Sequence, residues 1–478
     1  MEFEPVIGLE VHAQLNTETK LYCGCKNEFG GEVNSHCCEI CTGMPGTLPT
    51  LNQKAVDYAI MMGHALHCTI NNVCKQDRKN YFYPDLPKAY QISQADIPLC
   101  AHGYLDVVLD ESCNVKRIGV TRIHIEEDAG KLLHDDSFQG TLVDFNRCGV
   151  PLIEIVSEPD MRSSSEAKAY LEAIKGILGY LDISDCKMQE GSIRCDVNVS
   201  LRPKGSETFG NRCEMKNVNS FSGAQRAIDY EIARQTEILE NGGFILQETR
   251  RWDDAKGRTF PMRSKENADD YRYFPEPDLG TIVAPPEHVE ELRALIPELP
   301  GEKLLRYVKK CGLTYLDANL LCENAEKYRF FEQVIELGGC SLQAAANWLN
   351  GDIARLLGER LTTLGATKLT PEKLVGMIRL IEEGKISNTA GKTVIEEIMF
   401  TQKTAGEAVE EKGLLQINDT AALEETARAV LEKNEKAVTD YRGGKANALD
   451  FLVGQCMRAS GGKANPPALR EILLKQLG

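Results

Sequence analysis

Several acidic side chains stand where solubility does not explain them. Glu154 is flanked by Leu152, Ile153, Ile155 and Val156, a run in which an unpaired carboxylate is strongly disfavoured. Glu10 and His12 alternate with Leu9, Val11 and Ala13, and Asp196 sits between Cys195 and Val197. Glu126, Glu127 and Asp128 end a strand-like run over residues 118–125. Carboxylates and an imidazole from separate strands suit a hard divalent ion such as Mg²⁺, which takes few protein groups and keeps water or phosphate oxygens. Taken singly, each acid is more often an ion-pair partner of Arg122, Arg147 or Arg194 than a metal ligand, and only Glu154 makes its case unaided. Alternation puts Glu126 on the face of His124 and Glu127 on the face of Ile123 and Ile125, so both stay candidates.

A second constellation is made of thiols. Cys23-Gly24-Cys25 and Cys38-Glu39-Ile40-Cys41 are two close pairs with 12 residues between them. Two short turns presenting two sulfurs each satisfy tetrahedral zinc, and four thiolates close the coordination sphere, so such a site is structural. Buried thiols or a redox pair are the competing reading, and Cys37 and His36 are spare donors nearby.

These residues need elements to hold them. Residues 6–15 place Ile7, Leu9, Val11, Ala13 and Leu15 on one face with Glu10, His12 and Gln14 on the other. Residues 192–201 do the same, with Ile193, Cys195, Val197 and Val199 opposite Arg194, Asp196, Asn198 and Ser200. Both read as half-buried strands of an antiparallel sheet, and the apolar stretch 149–156 reads as a buried one. Helical periodicity over 163–179 and 224–241 completes one large α+β domain across residues 1–295. After Ile296-Pro297-Glu298-Leu299-Pro300 the alternation stops. Helical runs follow at 301–310, 315–338, 341–357, 370–383 and 389–400, an all-α domain over 296–402. A small helical tail over 403–478 has helical patterns at 421–434, 447–457 and 466–477 and two Gly-Gly-Lys loops carrying Lys445 and Lys463.

Composition narrows the function. The 478 residues divide into about three domains at typical domain size. With 71 acidic against 55 basic residues the formal charge is −16, which argues against a general nucleic-acid coat and leaves room only for local basic patches. No run approaches the roughly 18 apolar residues of a membrane span, and the start lacks the basic-then-apolar pattern of an export signal. Seventeen cysteines, an odd number, point to a reducing cytoplasm. Gly391-Lys392-Thr393 resembles the end of a phosphate loop, but Ile386 stands where the first glycine belongs, so ATP, if bound, is held without a P-loop.

Longer blocks carry a resemblance. Ile7-Gly8-Leu9-Glu10-Val11-His12, Gly43-Met44-Pro45-Gly46, Asp77-Arg78-Lys79-Asn80-Tyr81-Phe82-Tyr83-Pro84-Asp85 and Lys88-Ala89-Tyr90-Gln91-Ile92-Ser93 closely resemble the B-subunit family of the glutamyl-tRNA(Gln)/aspartyl-tRNA(Asn) amidotransferases. So do Glu126-Glu127-Asp128-Ala129-Gly130-Lys131, the stretch from Pro151 to Asp160 and the stretch from Asp270 to Asp278. The resemblance spans the chain and leaves no room for the inserted domain of the related archaeal E subunit. It implies a cradle-like α+β domain, a helical domain and a tRNA-binding tail. It implies work in a heterotrimer with an amidase (the A subunit) and a small third protein (the C subunit). ATP and Mg²⁺ are the implied cofactors, and a misacylated tRNA is the implied substrate. His12, Glu127 and Glu154 match the family's metal positions, with Glu10 and Asp196 beside them. Lys79 and Lys88 match a polar segment lining its ammonia passage. The cysteine pairs match a zinc knuckle that not every member keeps.

For the tail the implied partner is RNA. From residue 436 to the end, seven Lys and Arg stand against three Asp and Glu, a local excess of four positive charges on an acidic chain. Lys445 and Lys463, on glycine loops, are the expected phosphate contacts, against the plainer reading of a solvated helical surface.

Overall fold

The computed structural model describes residues 2–134, 140–264, 271–416, 420–445, 447–460 and 464–477. By contacts the chain divides into two compact units, Met1–Lys303 and Leu304–Gly478.

The first unit is built on a nine-stranded sheet. From one edge its strands are Arg258–Ser264, Glu248–Asp253, Cys213–Val218, Ile193–Pro203, Phe3–Gln14, Pro151–Ser157, Val115–Glu127, Cys100–Val108 and Thr69–Ile70. Every pairing is antiparallel except that of Cys213–Val218 with Glu248–Asp253. The expected alternation holds at the centre: Ile7, Leu9, Val11 and Ala13 are buried, as are Ile153, Ile155, Ile193, Val197 and Val199. This apolar face joins one core with residues of the helices Gln53–Ala65, Ser164–Tyr180 and Phe221–Glu240. Each helix starts at a side-chain cap, from Asn52, Ser163 and Ser220 respectively. The helix at Gln53–Ala65 was not among those expected from periodicity.

With one face consumed by the core, the period of two forces Glu10, His12, Arg194, Asp196, Glu154, His124 and Glu126 onto the other. Register then decides who meets whom. Glu10 lies opposite Asp196, His12 opposite both Arg194 and Glu154, and Glu154 opposite His124. A small sheet of Phe274–Pro275, Asp77–Asn80 and Tyr90–Ser93 supplies Lys79 and Ser93 to this face.

The second unit is helical among its described residues, as expected, with different breaks. The run 315–338 is two helices, Tyr315–Cys322 and Ala325–Leu337, divided where Asn324 caps the second through the Lys327 N–H. The run 341–357 carries a π-helical turn at Leu349–Ile353 between Leu342–Trp348 and Ala354–Glu359. Helices at Ala405–Glu411 and Glu435–Arg442 add to those read from sequence. Residues of the last part, among them Leu423, Ala427, Leu452, Cys456, Leu469 and Leu473, form their own apolar cluster. No described helix is long and apolar enough to cross a membrane.

Candidate functional site

The polar sheet face gathers a dry, charged cluster. His12 Nε2 and His124 Nε2 each lie 3.3 Å from Glu154 Oε2, and His124 Nε2 is 3.7 Å from Glu126 Oε2. Glu126 also accepts from Ser93 Oγ at 2.7 Å and has Lys79 Nζ at 3.6 Å. Glu154, Glu126 and His124 are buried. Burial alone raises a carboxyl pKa, but the charges facing these two reverse it. His124 and His12 hold Glu154 well below the usual range, and Lys79 with His124 brings Glu126 to about 2. The imidazoles answer in kind: burial pulls both down, and Glu154 above all outweighs it and raises them. Lys79, disfavoured by burial, is likewise held protonated by Glu126 and Glu154.

Glu10 and Asp196 extend the cluster along the same face with Glu214, three acids whose carboxylates come within 4.8 Å of one another. Burial raises the Glu10 pKa, and the Glu154, Asp196 and Glu214 charges add to it. Lys216 Nζ lies 2.6 Å from Asp196 and 3.5 Å from Glu214. Glu10 accepts from Asn198 Nδ2 at 3.0 Å.

Of the two candidates left open, Glu126 and Glu127, the one that the resemblance favours, Glu127, stands apart from this cluster. Expected with His12 and Glu154, it follows the parity of Ile123 and Ile125 and leaves the cluster. Its carboxylate binds Lys88 Nζ in a short ion pair and the Ile92 N–H at 2.9 Å. Glu126 takes the place beside Glu154. Asp128 is an ion-pair residue: Arg194, Arg147 and Gln14 converge on it. His124 and Glu214 were missed as site residues. His124 carried a signal, since it shares the parity of Glu126 within a readable strand, whereas Glu214 lies in a strand of mixed character.

The donor set suits a divalent cation and phosphate oxygens. Two carboxylates and imidazole nitrogen converge within 4.8 Å at Glu126, Glu154 and His124. His124 Nδ1 and Arg122 Nε are buried without a hydrogen-bond partner.

The thiols converge as well. The Sγ atoms of Cys23, Cys25, Cys38 and Cys41 lie within 4.8 Å of one another. Cys38 N–H points at Cys41 Sγ, 3.2 Å away, the way a knuckle turn directs amides at a sulfur. The Cys23 thiol, the Cys38 N–H and the Lys20 ammonium bring Cys41 to about 5, while the same thiol contact and burial push Cys23 up. Cys37 turns to the Asn34 carbonyl and is not in the cluster. All seventeen cysteines are free thiols. Four sulfurs at this spacing fit a structural metal such as zinc. A Cys38→Ser variant is expected to lose the roughly one zinc per chain of the parent and to melt at lower temperature. Metal analysis of chelator-free protein checks it, and a parent without zinc would refute it.

Of the expected tRNA contacts, Lys445 is 70% exposed and pairs with Asp440 at 2.9 Å. Lys463 lies outside the described residues.

A sheet that crowds buried acids, imidazoles and an ammonium on one face, with a thiol knuckle beside it, is built as the catalytic domain of an enzyme. Residues 5–290 match the family model described as the GatB/GatE catalytic domain, and residues 329–477 match the GatB domain. The chain belongs to this family. It is 55% identical over 480 residues to the B subunit of the aspartyl/glutamyl-tRNA(Asn/Gln) amidotransferase of Caldicellulosiruptor saccharolyticus, covering 100% of this chain and 99% of that protein. It is 53% identical over 477 residues to the protein of the same name from Thermoanaerobacter sp. strain X514, covering 100% of both. The Clostridium botulinum relative of that name is 51% identical over 476 residues, covering 100% of this chain and 99% of that protein.

Proposed function

We propose that this chain is the B subunit of a glutamine-dependent carbon–nitrogen ligase that turns Glu-tRNA(Gln) or Asp-tRNA(Asn) into the amide with ATP. Full-length similarity to proteins of that name supports it, and the buried cluster of His12, His124, Glu126 and Glu154 is the observation that carries the chemistry. A side-chain carboxylate is an anion with no leaving group. Its oxygen first bonds to the γ-phosphorus of ATP, and ADP leaves. Ammonia then attacks the acyl carbon, phosphate departs, and the nitrogen sheds a proton. Such transfer rests on positioning and on neutralising phosphate charge. Glu126, Glu154 and the imidazoles of His124 and His12 would hold a Mg²⁺ ion, which would supply that positive charge. Lys79, held protonated at the edge of the cluster, meets the incoming carboxylate or phosphate. Arg122 has a free Nε for the same purpose. Glu10 and Asp196, with Lys216, bound the far end of the face. Lys88 and its partner Glu127 belong to the passage by which ammonia arrives from a separate amidase (the A subunit), with a small C subunit completing a cytoplasmic heterotrimer.

In this reading residues 1–295 form the catalytic cradle, 296–402 a helical domain and 403–478 the tRNA-binding tail. The separate apolar cluster of the last part supports the final boundary. Exposed ion pairs such as Lys445–Asp440 contribute little and exchange readily for a phosphate. Lys445→Ala is expected to weaken tRNA binding and to reduce its log–log salt slope by about one, with glutaminase turnover unchanged. An unchanged slope would return Lys445 to a solvated surface role. The whole reading is tested by reconstituting the complex and assaying both charged tRNAs. Amide formation that requires ATP and glutamine is expected on at least one, and failure on both refutes it.

A further inference from the structure

Lys20 is among the largest fully buried side chains of the protein, 1% exposed. Its ammonium reaches Cys41 Sγ at 3.6 Å and the Phe145 carbonyl at 3.5 Å. Three other cations of this unit's polar interior have carboxylates: Lys79 has Glu126, Lys88 has Glu127, Lys216 has Asp196. Among the described residues no carboxylate lies within 4 Å of Lys20 in an ion pair, and its neighbour is a sulfur. A buried ammonium needs an anionic partner, and the Cys41 sulfur is the one within its reach.

Metal coordination supplies that anionic partner in full. A bound dication deprotonates its thiols outright, and four thiolates on one dication leave two net negative charges in a partly dry setting. We propose that Lys20 is the counter-charge of a tetrathiolate metal centre at Cys23, Cys25, Cys38 and Cys41, donating to the Cys41 sulfur and setting the metal affinity of the knuckle. This rests on reading the four cysteines as a metal site. The same side chain ties the knuckle to the turn that leads into the Glu154 strand. Lys20 binds the Phe145 carbonyl, Leu21 N–H donates to the Gly149 carbonyl at 2.9 Å, and Cys148 Sγ donates to the Cys41 carbonyl at 3.1 Å. Gly149 has φ +80°, and a Cβ there would stand 3.2 Å from Cys41 Cβ, so the turn packs directly on the knuckle. Lys20 is thus a positioning residue.

Lys20→Met keeps length and volume and removes charge and donor. In metal-free full-length protein the variant is expected to melt no lower than the parent, because the buried ammonium is gone and the Cys41 sulfur it faced can take up a proton. With zinc the order reverses: the parent binds zinc about 10–100-fold tighter in competition with a chromophoric chelator, and zinc raises its Tm by more. Cobalt(II) gives a spectroscopic readout, since a hydrogen bond to a thiolate lowers its electron density. The thiolate-to-cobalt charge-transfer band is expected to shift in the variant. A parent that takes up neither zinc nor cobalt overturns the metal reading and the proposal with it. A parent that loads one metal, matched by the variant in affinity and spectrum, overturns the role of Lys20 alone.

Discussion

Glu154→Gln is expected to leave the complex assembled and able to bind tRNA while γ-phosphoryl transfer to the charged tRNA falls by about 10²–10³. The amide keeps the shape of the carboxylate but not the charge that His12 and His124 share, each at 3.3 Å. Removing one partner of a buried charge set is usually destructive because the other charge is stranded. Here both partners are imidazoles, and because the Glu154 charge is what raises their pKa, its loss lowers them and favours the neutral form. The fold therefore tolerates a change that the chemistry does not. The assay is single-turnover transfer of labelled γ-phosphate with Glu-tRNA or Asp-tRNA and excess Mg²⁺, beside a melting curve and a tRNA-binding titration. Transfer within about threefold of the parent would make Glu154 an ion-pair residue. A collapse of folding, binding and transfer together would make it a structural one.

The Glu154 site was legible because burial and polarity conflict there in the sequence itself. A carboxylate inside an apolar run must have partners, and alternation in 6–15 and 192–201 pointed to His12, Glu10 and Asp196 on one face. In the register Glu10 lies opposite Asp196, and His12 opposite Glu154. What alternation could not give is which strand lies beside which. The pairing of Glu154 with His124 is a long-range fact, and it promotes His124 to the site and carries Glu126 with it. Family resemblance favoured Glu127, one residue along and therefore on the opposite side. Glu214 was invisible for a related reason: its strand is short and pairs in parallel on one side and antiparallel on the other, so neither face reads as core.

The helical half shows the opposite balance. Periodicity located the helices but overran their ends, because an Asn cap at 324 and a π-turn at 349–353 interrupt a run without breaking its apolar stripe. Capping is a one-residue signal, and a π-turn has none in composition. The helix at Gln53–Ala65 did carry a readable pattern: Asn52 caps it, and Ala55, Val56, Ala59, Ile60 and Met62 are buried at helical spacing.

The two adjacent acids offer the sharpest separation of roles. Glu126→Gln and Glu127→Gln make the same chemical change one residue apart, on opposite sides of one strand. Glu126 accepts from Ser93 and lies within 3.7 Å of His124 and 3.6 Å of Lys79, so its charge belongs to the phosphoryl-handling cluster. Glu126→Gln is expected to lower γ-phosphoryl transfer by about 10²–10³, as at Glu154. Glu127 instead holds the Lys88 ammonium and the Ile92 N–H. Burial disfavours Lys88, and Glu127 is what keeps its pKa raised. Glu127→Gln is expected to spare phosphoryl transfer within about threefold and to lower glutamine-dependent amidation by at least about tenfold, the equal of about 1.4 kcal/mol. A high concentration of ammonium salt, which needs no delivery from glutamine, is expected to restore amidation in Glu127→Gln and not in Glu126→Gln. The measurement is amide formation per charged tRNA with glutamine or with ammonium, run beside the phosphoryl assay. If Glu127→Gln abolishes phosphoryl transfer and Glu126→Gln does not, the roles of the two carboxylates are the reverse of those drawn from the strand parity.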